Sequence, residues 1–200
     1  PGERKITTEN TQAALKRFSY QKLSKQNQLT YDVLNYYLEL SKKESEYLLY
    51  EEPMGTVSGV QTQIPVLLSE YQFQTKTDVD AYLELMKTTP EYFNSLIAFE
   101  LANYIADTVI EQCQAFLDMG NSNYLISTFV DRIQKLTDLS EEEKSDYIQK
   151  NAYMLQTYVL PAYQQLIKTV VELKESGKNE GGLCYLPNGK EYYALTVQAS

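Results

Sequence analysis

The residue types that most often carry catalysis are scarce in this sequence of 200 residues, and histidine is absent altogether. Without an imidazole the chain cannot form a Ser-His or Cys-His nucleophile pair, an HExxH zinc site or an imidazole proton shuttle. The two cysteines, Cys113 and Cys184, are too few for a structural zinc site. We therefore expect no catalytic residue, no metal ligand and no cofactor in this chain. Whether the two cysteines pair stays open.

Glu100 is a carboxylate whose sequence position suggests burial. It stands between Phe99 and Leu101, one helical turn from Leu96 and Tyr104. Burial raises the pKa of a carboxyl group unless a cation or hydrogen-bond donors compensate. Glu100 is then either an acid/base group or a structural acceptor for a tyrosine hydroxyl, and buried polar groups are more often structural.

Tyrosine is frequent, with 18 residues spread over nearly every predicted helix. The pairs Tyr36-Tyr37 and Tyr192-Tyr193 are adjacent in sequence, and neighbours on a helix point about 100° apart. One member of each pair can face the core while the other faces a groove. A tyrosine can fill the core and keep a wet hydroxyl, or it can form a peptide- or sugar-binding surface.

Charge and hydropathy exclude two classes of partner. Asp plus Glu number 27 against 18 Lys plus Arg, giving a net charge of −9, and the basic residues form no stripe. Such a surface repels a phosphate backbone, so we expect no nucleic acid as a partner. No window reaches 18 apolar residues, and we expect no membrane span.

Apolar residues recur at steps of three and four along most of the chain, which predicts helices rather than strands. Caps are predicted at Ser24, Thr77, Thr89 and Ser140, the last with a glutamate three residues later. The helices are expected at about residues 8–18, 24–50, 63–68, 77–88, 89–118, 123–136, 140–176 and from 188 onward. A short strand is expected at 183–185, and the loop 51–62 offers glycines for positive φ.

The spacing of apolar residues and the positions of two prolines further define three of these helices. The apolar residues of the second helix recur at helical spacing: Leu29, Val33, Tyr36, Leu40 and Tyr47. Pro65 is expected near the first turn of its helix, where no N–H is needed. Pro161 predicts a kink in the last long helix, within one packed element, because the apolar stripe keeps its phase across it.

The sequence thus predicts an irregular all-α bundle of seven or eight helices in a single domain, residues 1–200.

Four stretches resemble one bacterial family, the domain of unknown function 885. They read LSKQNQLTYDVL at 23–34, PMGTVSGVQTQIPVLL at 53–68, PAY at 161–163 and GLCYLPNGKEYY at 182–193. Their order and spacing fit the family from about residue 15 to residue 193. The chain departs from the family at residues 102–110, Ala102 to Ile110, which lack an expected glycine-containing break. A loop close to Glu100 is then shortened or missing.

The resemblance implies a helical protein similar to thermolysin-like zinc peptidases, often exported or lipid-anchored in bacteria. The family's metal motif, an HExxH-like stretch with further histidines, lies downstream of the last of the four stretches. Zinc is therefore implied for a longer protein and for no residue here. On this interpretation the chain is an N-terminal or internal piece, and its partners are the remainder of that protein and a peptide substrate. Tyr192 and Tyr193, which lie nearest the implied catalytic part, and Glu100 are then our candidates for lining the substrate cleft.

Two functions are expected as alternatives. The chain is either the helical scaffold and one wall of the substrate cleft of a zinc-dependent metallopeptidase, with no catalytic constellation of its own, or a non-enzymatic helical module for binding or protein interaction. An HExxH-type stretch downstream in the open reading frame would favour the first. A stop codon just after Ser200 would favour the second.

Overall fold

The structure of the chain is a computed structural model that describes residues 2–50, 53–96, 103–176 and 182–199. All regular secondary structure in these ranges is helical, as predicted. The α-helical segments are α1 Gly2–Leu15, α2 Lys25–Glu44, α3 Val60–Glu70, α4 Lys76–Lys87, α5 Thr89–Leu96, α6 Asn103–Asp118, α7 Tyr124–Ile133, α8 Glu141–Met154, α9 Leu160–Ser176 and α10 Gly189–Ala199. Since α8 and α9 are one continuous helix, the described ranges hold nine helices besides short 3₁₀ segments, close to the seven or eight predicted.

The chain divides into two compact units. The first, Pro1–Glu51 with Gly181–Ser200, contains α1, α2 and α10. The second, Glu52–Glu180, contains α3 to α9. The single domain expected over residues 1–200 stays a prediction.

The first unit is built around α2. Ser24 caps this helix as predicted, because its hydroxyl accepts the N–H of Asn27 at 3.2 Å. The expected helix to residue 50 changes type on the way: Ser45–Tyr50 is a 3₁₀ segment with a non-helical residue at Tyr47. The strand expected at 183–185 is wrong. Gly182–Tyr185 is a 3₁₀ turn, whose backbone groups find local rather than cross-strand partners.

The second unit has α6 and α9 at its centre, and these two helices share its most extensive contact. Side chains from several helices are fully buried there: Tyr82, Met86, Val109, Cys113, Phe129, Ile133, Tyr163 and Val170. The helix predicted at 89–118 corresponds to α5 and α6, with residues 97–102 between them lying outside the described residues.

Two of the four predicted caps are displaced in sequence. The helix expected to start at Thr77 is preceded by Thr75 instead, whose N–H donates to the Asp78 carboxylate at 2.8 Å. That carboxylate sits three residues after the cap, which is the position a capping box requires. Likewise α5 already begins at Thr89, so the residue in front of it is Thr88.

The capping box predicted at Ser140 is confirmed. Its hydroxyl accepts the N–H of Glu143 at 3.2 Å, and the Glu143 carboxylate accepts the N–H of Ser140 at 3.0 Å. Both residues therefore satisfy backbone donors that the first turn of α8 would leave unpaired.

Helical backbone continues from α8 into α9 without a break, as expected for one packed element. Leu155–Val159 form a π-helical turn just before Pro161. There the N–H of Leu160 bonds to the carbonyl of Leu155, five residues back. In an α-helix the carbonyl of Thr157 would meet the proline ring, so the wider turn lies where the clash would arise.

The expectation that Pro65 sits near the first turn of its helix is wrong. The carbonyl of Gly59 accepts the N–H of Gln63 at 3.1 Å, and α3 therefore starts at Val60, five residues before the proline.

The glycines of the loop before α3 do not adopt positive φ, contrary to the expectation; among the described glycines, Gly120 does. Gly59 is needed for close approach: a Cβ there would lie 2.4 Å from the backbone of Gly55.

Candidate functional site

The two tyrosines predicted to line a cleft lie on α10 and differ sharply in burial. Tyr192 is 8% exposed, whereas Tyr193 is 62% exposed. This is the division expected for adjacent residues on a helix. The structure therefore separates a packing side chain from one whose ring and hydroxyl face solvent.

Tyr192 packs in an aromatic cluster with Tyr47 and Tyr50, which we call the tyrosine cluster. Its ring centroid lies 5.5 Å from that of Tyr47 and 5.7 Å from that of Tyr50, and the latter two are 5.4 Å apart. These spacings are those of favourable tilted and edge-to-face ring pairs. The cluster holds the start of α10 against the 3₁₀ segment that follows α2.

A tight turn before α10 fixes the direction in which the helix leaves. Asn188 has a φ of +57°, a left-handed conformation that asparagine tolerates. Gly189 follows, and a Cβ there would lie 1.7 Å from the carbonyl oxygen of Leu183. The hydroxyl of Tyr50 donates to the carbonyl of Pro187. This turn and the tyrosine cluster together position α10.

An open groove of about 400 Å³ runs between α10 and the end of α2. Its lining consists of Lys43, Glu46, Tyr47, Glu191, Ala194, Leu195 and Gln198. The four α10 residues recur at helical spacing and form one wall. The groove offers an ammonium group, two carboxylates and a tyrosine ring, a set that can bind polar peptide groups but forms no nucleophile–base pair. Neither Tyr192 nor Tyr193 belongs to this lining.

The third candidate, Glu100, lies outside the described residues. The acid/base and structural interpretations of its carboxylate both stay predictions. The glycine-free stretch that follows is helical from residue 103 onward, within α6.

The two thiols differ in environment, and neither forms a disulfide bond. Cys113 is fully buried in the second unit, and burial raises the pKa of its thiol to about 12. A thiol with so little thiolate at neutral pH is a poor nucleophile and a poor metal ligand. Cys184 is exposed in the first unit.

A zinc ion does not fit the residues that the structure describes. Within those ranges no three histidine, cysteine, aspartate or glutamate side chains come together as a metal-binding group. The chain also has no histidine to complete such a set. Catalytic zinc sites normally take three protein ligands, commonly from histidine and glutamate.

Sequence reasoning did not find the partners of Tyr192 or the groove. The spacing of Tyr47 and Tyr50, three residues apart, places both rings on one side of a helical turn and was an available signal. The Pro-Asn-Gly sequence before α10 was the second, since this is turn chemistry. Neither signal states which distant residue the turn brings into contact.

Comparison with known proteins places this arrangement in a family. The sequence matches, over residues 2–200, the family described as "Bacterial protein of unknown function (DUF885)". The chain belongs to this family. No curated protein sequence matches it.

The DUF885 chain is also similar to a solved structure, described as "the putative lipoprotein from Colwellia psychrerythraea". The TM-score is 0.80 at 14% sequence identity, so the likeness concerns the fold. The match covers 97% of this chain and 37% of the other, and the chain thus spans little more than a third of that protein's length. Within the ranges described, no helix of this DUF885 chain has both the length and the apolar character needed to cross a bilayer.

Proposed function

We propose that this DUF885 chain is the helical scaffold, and one wall of the substrate cleft, of a longer zinc-dependent peptidase. The observation that carries the proposal is the extent of the structural likeness, since nearly all of this chain corresponds to 37% of a longer protein. The zinc ligands belong to the part of such a protein that this chain does not include, because no histidine here could supply them.

In this role α10 is the element that presents groups to a peptide. Tyr192 is a positioning residue that acts through the tyrosine cluster. Tyr193 is the exposed member of the pair, and its hydroxyl can donate to a peptide carbonyl. Lys43 and Glu191 supply charges in the nearby groove that suit peptide termini or charged side chains.

Kinetics of a longer DUF885 protein that contains this sequence test the cleft wall. Tyr193→Phe should lower turnover and leave the melting temperature unchanged, because only an exposed hydroxyl is lost. Tyr37→Phe is a matched control, since Tyr37 is 55% exposed on α2. Unchanged kinetics in both Tyr192→Phe and Tyr193→Phe would rule out a required role for either hydroxyl.

Calorimetry of this chain alone tests the absence of a catalytic centre. We expect weak zinc binding and no peptide hydrolysis, because its carboxylates are hard ligands better suited to calcium or magnesium. A submicromolar zinc site would overturn the proposal.

Export or lipid anchoring is also part of the proposal. It is supported by the description of the Colwellia psychrerythraea protein as a lipoprotein. Fractionation of cells that express the full reading frame checks it, and recovery solely in the cytosol would contradict it.

A non-enzymatic helical binding module is the second candidate, and the groove between α2 and α10 supports it equally well. The sequence of the open reading frame downstream of Ser200 distinguishes the two functions. A downstream HExxH-type stretch supports the peptidase, and a stop codon just after Ser200 supports the binding module.

A further inference from the structure

Helix α2 carries two opposite faces that are suited to packing. One face borders a pocket shared with the end of α1 and the segment after it; its residues are Asn27, Thr30, Tyr31 and Leu34. The other face carries the apolar stripe of Leu29, Val33, Tyr36 and Leu40, about half a helical turn away. A helix with apolar groups on opposite sides is typical of one that has neighbours on both sides.

Coverage of this stripe changes along its length. Leu40 is 4% exposed, whereas Tyr36 is 49%, Val33 is 45% and Leu29 is 58% exposed. The C-terminal end of the stripe is therefore packed, and its N-terminal half presents large apolar side chains to solvent. Single exposed apolar residues are common, but a row of three at helical spacing marks an interaction surface.

The direction of α10 shows what would cover this half. Tyr192, near the start of α10, contacts Tyr47 and Tyr50 after the end of α2. Gln198, near the end of α10, accepts a hydrogen bond at its carbonyl from the hydroxyl of Tyr36 at 3.4 Å. The helix α10 therefore runs antiparallel to α2, toward Val33.

The distances along α2 fit a continuation of α10. At 1.5 Å per residue, Val33 and Leu29 lie about 4.5 Å and about 10.5 Å beyond Tyr36 along the α2 axis. A helix that continued the path of α10 for about seven residues past Gln198 would cover both side chains. We propose that, in a DUF885 protein that continues past Ser200, the residues that follow form a helix with an apolar face docked on Leu29, Val33 and Tyr36.

This inference rests on the part of the proposed function that treats the chain as one region of a longer protein, and it requires no peptidase activity. Because this fold makes up 37% of a longer solved chain, we take further residues of the same protein, and not a second copy of this chain, as the occupant. The test measures side-chain protection without any substrate, so its outcome is separate from that of the kinetic test.

Thiol labelling reports whether the stripe is covered. Val33→Cys is introduced together with Cys184→Ser, which removes the exposed native thiol, while Cys113 stays buried with a raised pKa. Alkylation by iodoacetamide is timed in the 200-residue chain and in the chain extended along its own reading frame. We expect at least about tenfold slower labelling in the extended protein, because packing must open before the thiol reacts.

Glu39→Cys is the matched control, since Glu39 is exposed on another face of α2. It should label at equal rates in both proteins. Leu29→Cys repeats the measurement if Val33→Cys disturbs the helical circular dichroism signal.

Three results would overturn the inference. The first is equal labelling of the stripe positions in the short and extended proteins. The second is labelling in the short chain that slows as its concentration rises, which would assign the stripe to a second copy. The third is a stop codon just after Ser200.

Discussion

Tyr163 donates a hydrogen bond to the main-chain carbonyl of Gln61, with 2.6 Å between the two oxygens. That carbonyl would bond to the N–H of residue 65 in an ordinary α-helix, and residue 65 is a proline without one. The tyrosine, which is fully buried on α9, therefore replaces the missing donor inside α3. Burial also raises the pKa of Tyr163, so its hydroxyl keeps the proton it donates.

Removing this hydroxyl should leave a buried carbonyl unpaired. We expect Tyr163→Phe to lower the free energy of unfolding by about 1–3 kcal/mol, the typical loss for an unsatisfied buried group. Urea unfolding of the chain measures this change.

The combination with Pro65→Ala identifies the cause of that loss. Alanine restores an N–H at position 65, so Tyr163→Phe should destabilise the Pro65→Ala background by less than it destabilises the natural sequence. The difference between the two values is the coupling energy of the pair. A coupling energy of zero would mean that the hydroxyl does not substitute for the missing N–H.

The loop before α3 offers a matched pair of glycines. A Cβ at Gly59 would lie 2.4 Å from the backbone nitrogen and oxygen of Gly55, whereas a Cβ at Gly55 would meet nothing closer than 4.0 Å. We expect Gly59→Ala to destabilise by more than about 2 kcal/mol, because backbone has to move. Gly55→Ala should change stability by about 0.5 kcal/mol or less.

Thermal unfolding of the two glycine variants checks this contrast. The loop is anchored by side-chain amides, since Gln61 donates to the carbonyl of Gly55 at 2.7 Å and Gln112 to that of Thr56 at 2.8 Å. Equal melting temperatures for the two variants would contradict this expectation. They would mean that the backbone of Gly55 moves away from a Cβ at position 59 at little cost in stability.

Two of the four helix caps were predictable from the sequence, whereas contacts between distant residues were not. The caps at Ser24 and Ser140 were found because a side chain bonds to backbone only three residues away. The sequence did not predict that Tyr163 supplies the donor that Pro65 lacks, because Tyr163 and the Gln61 carbonyl are 102 residues apart. No local pattern encodes such a contact.

The candidate site shows the same limit. Periodicity predicted that Tyr192 and Tyr193 would face different directions, which they do. It could not state that Tyr192 meets Tyr47 and Tyr50, because that contact depends on how the chain turns before α10. Likewise the sequence showed the apolar stripe that includes Val33. The spacing of apolar residues defines which side chains share a helix face, but it does not define what covers that face.

Pro161 should be replaceable without loss of stability. It lies in a helix that already widens into a π turn before it, and its side chain is exposed. Pro161→Ala restores a backbone donor and removes the ring that an α-helical carbonyl would meet. We expect unchanged or slightly higher stability in urea unfolding, whereas a loss above about 1 kcal/mol would mean that the proline contributes packing of its own.

Glu143 should make stability depend on pH in the acid range. Its carboxylate accepts a hydrogen bond from Lys76 at 2.9 Å and another from the backbone of Ser140 at 3.0 Å. The bond from Lys76 is the larger of these causes, and together they lower the pKa of Glu143 from 4.5 to about 2.

The sign of the effect follows from which state binds the proton first. As pH falls, the unfolded chain protonates this group near 4.5 and the folded chain only near 2. The stabilisation is therefore complete above about pH 4.5 and is lost as pH drops from there toward 2. In Glu143→Gln the urea midpoint should fall less steeply between these pH values than in the natural sequence. Glu142→Gln removes one charge from the same exposed turn and serves as control. Identical slopes in the two variants would contradict a special role for the Lys76–Glu143–Ser140 arrangement.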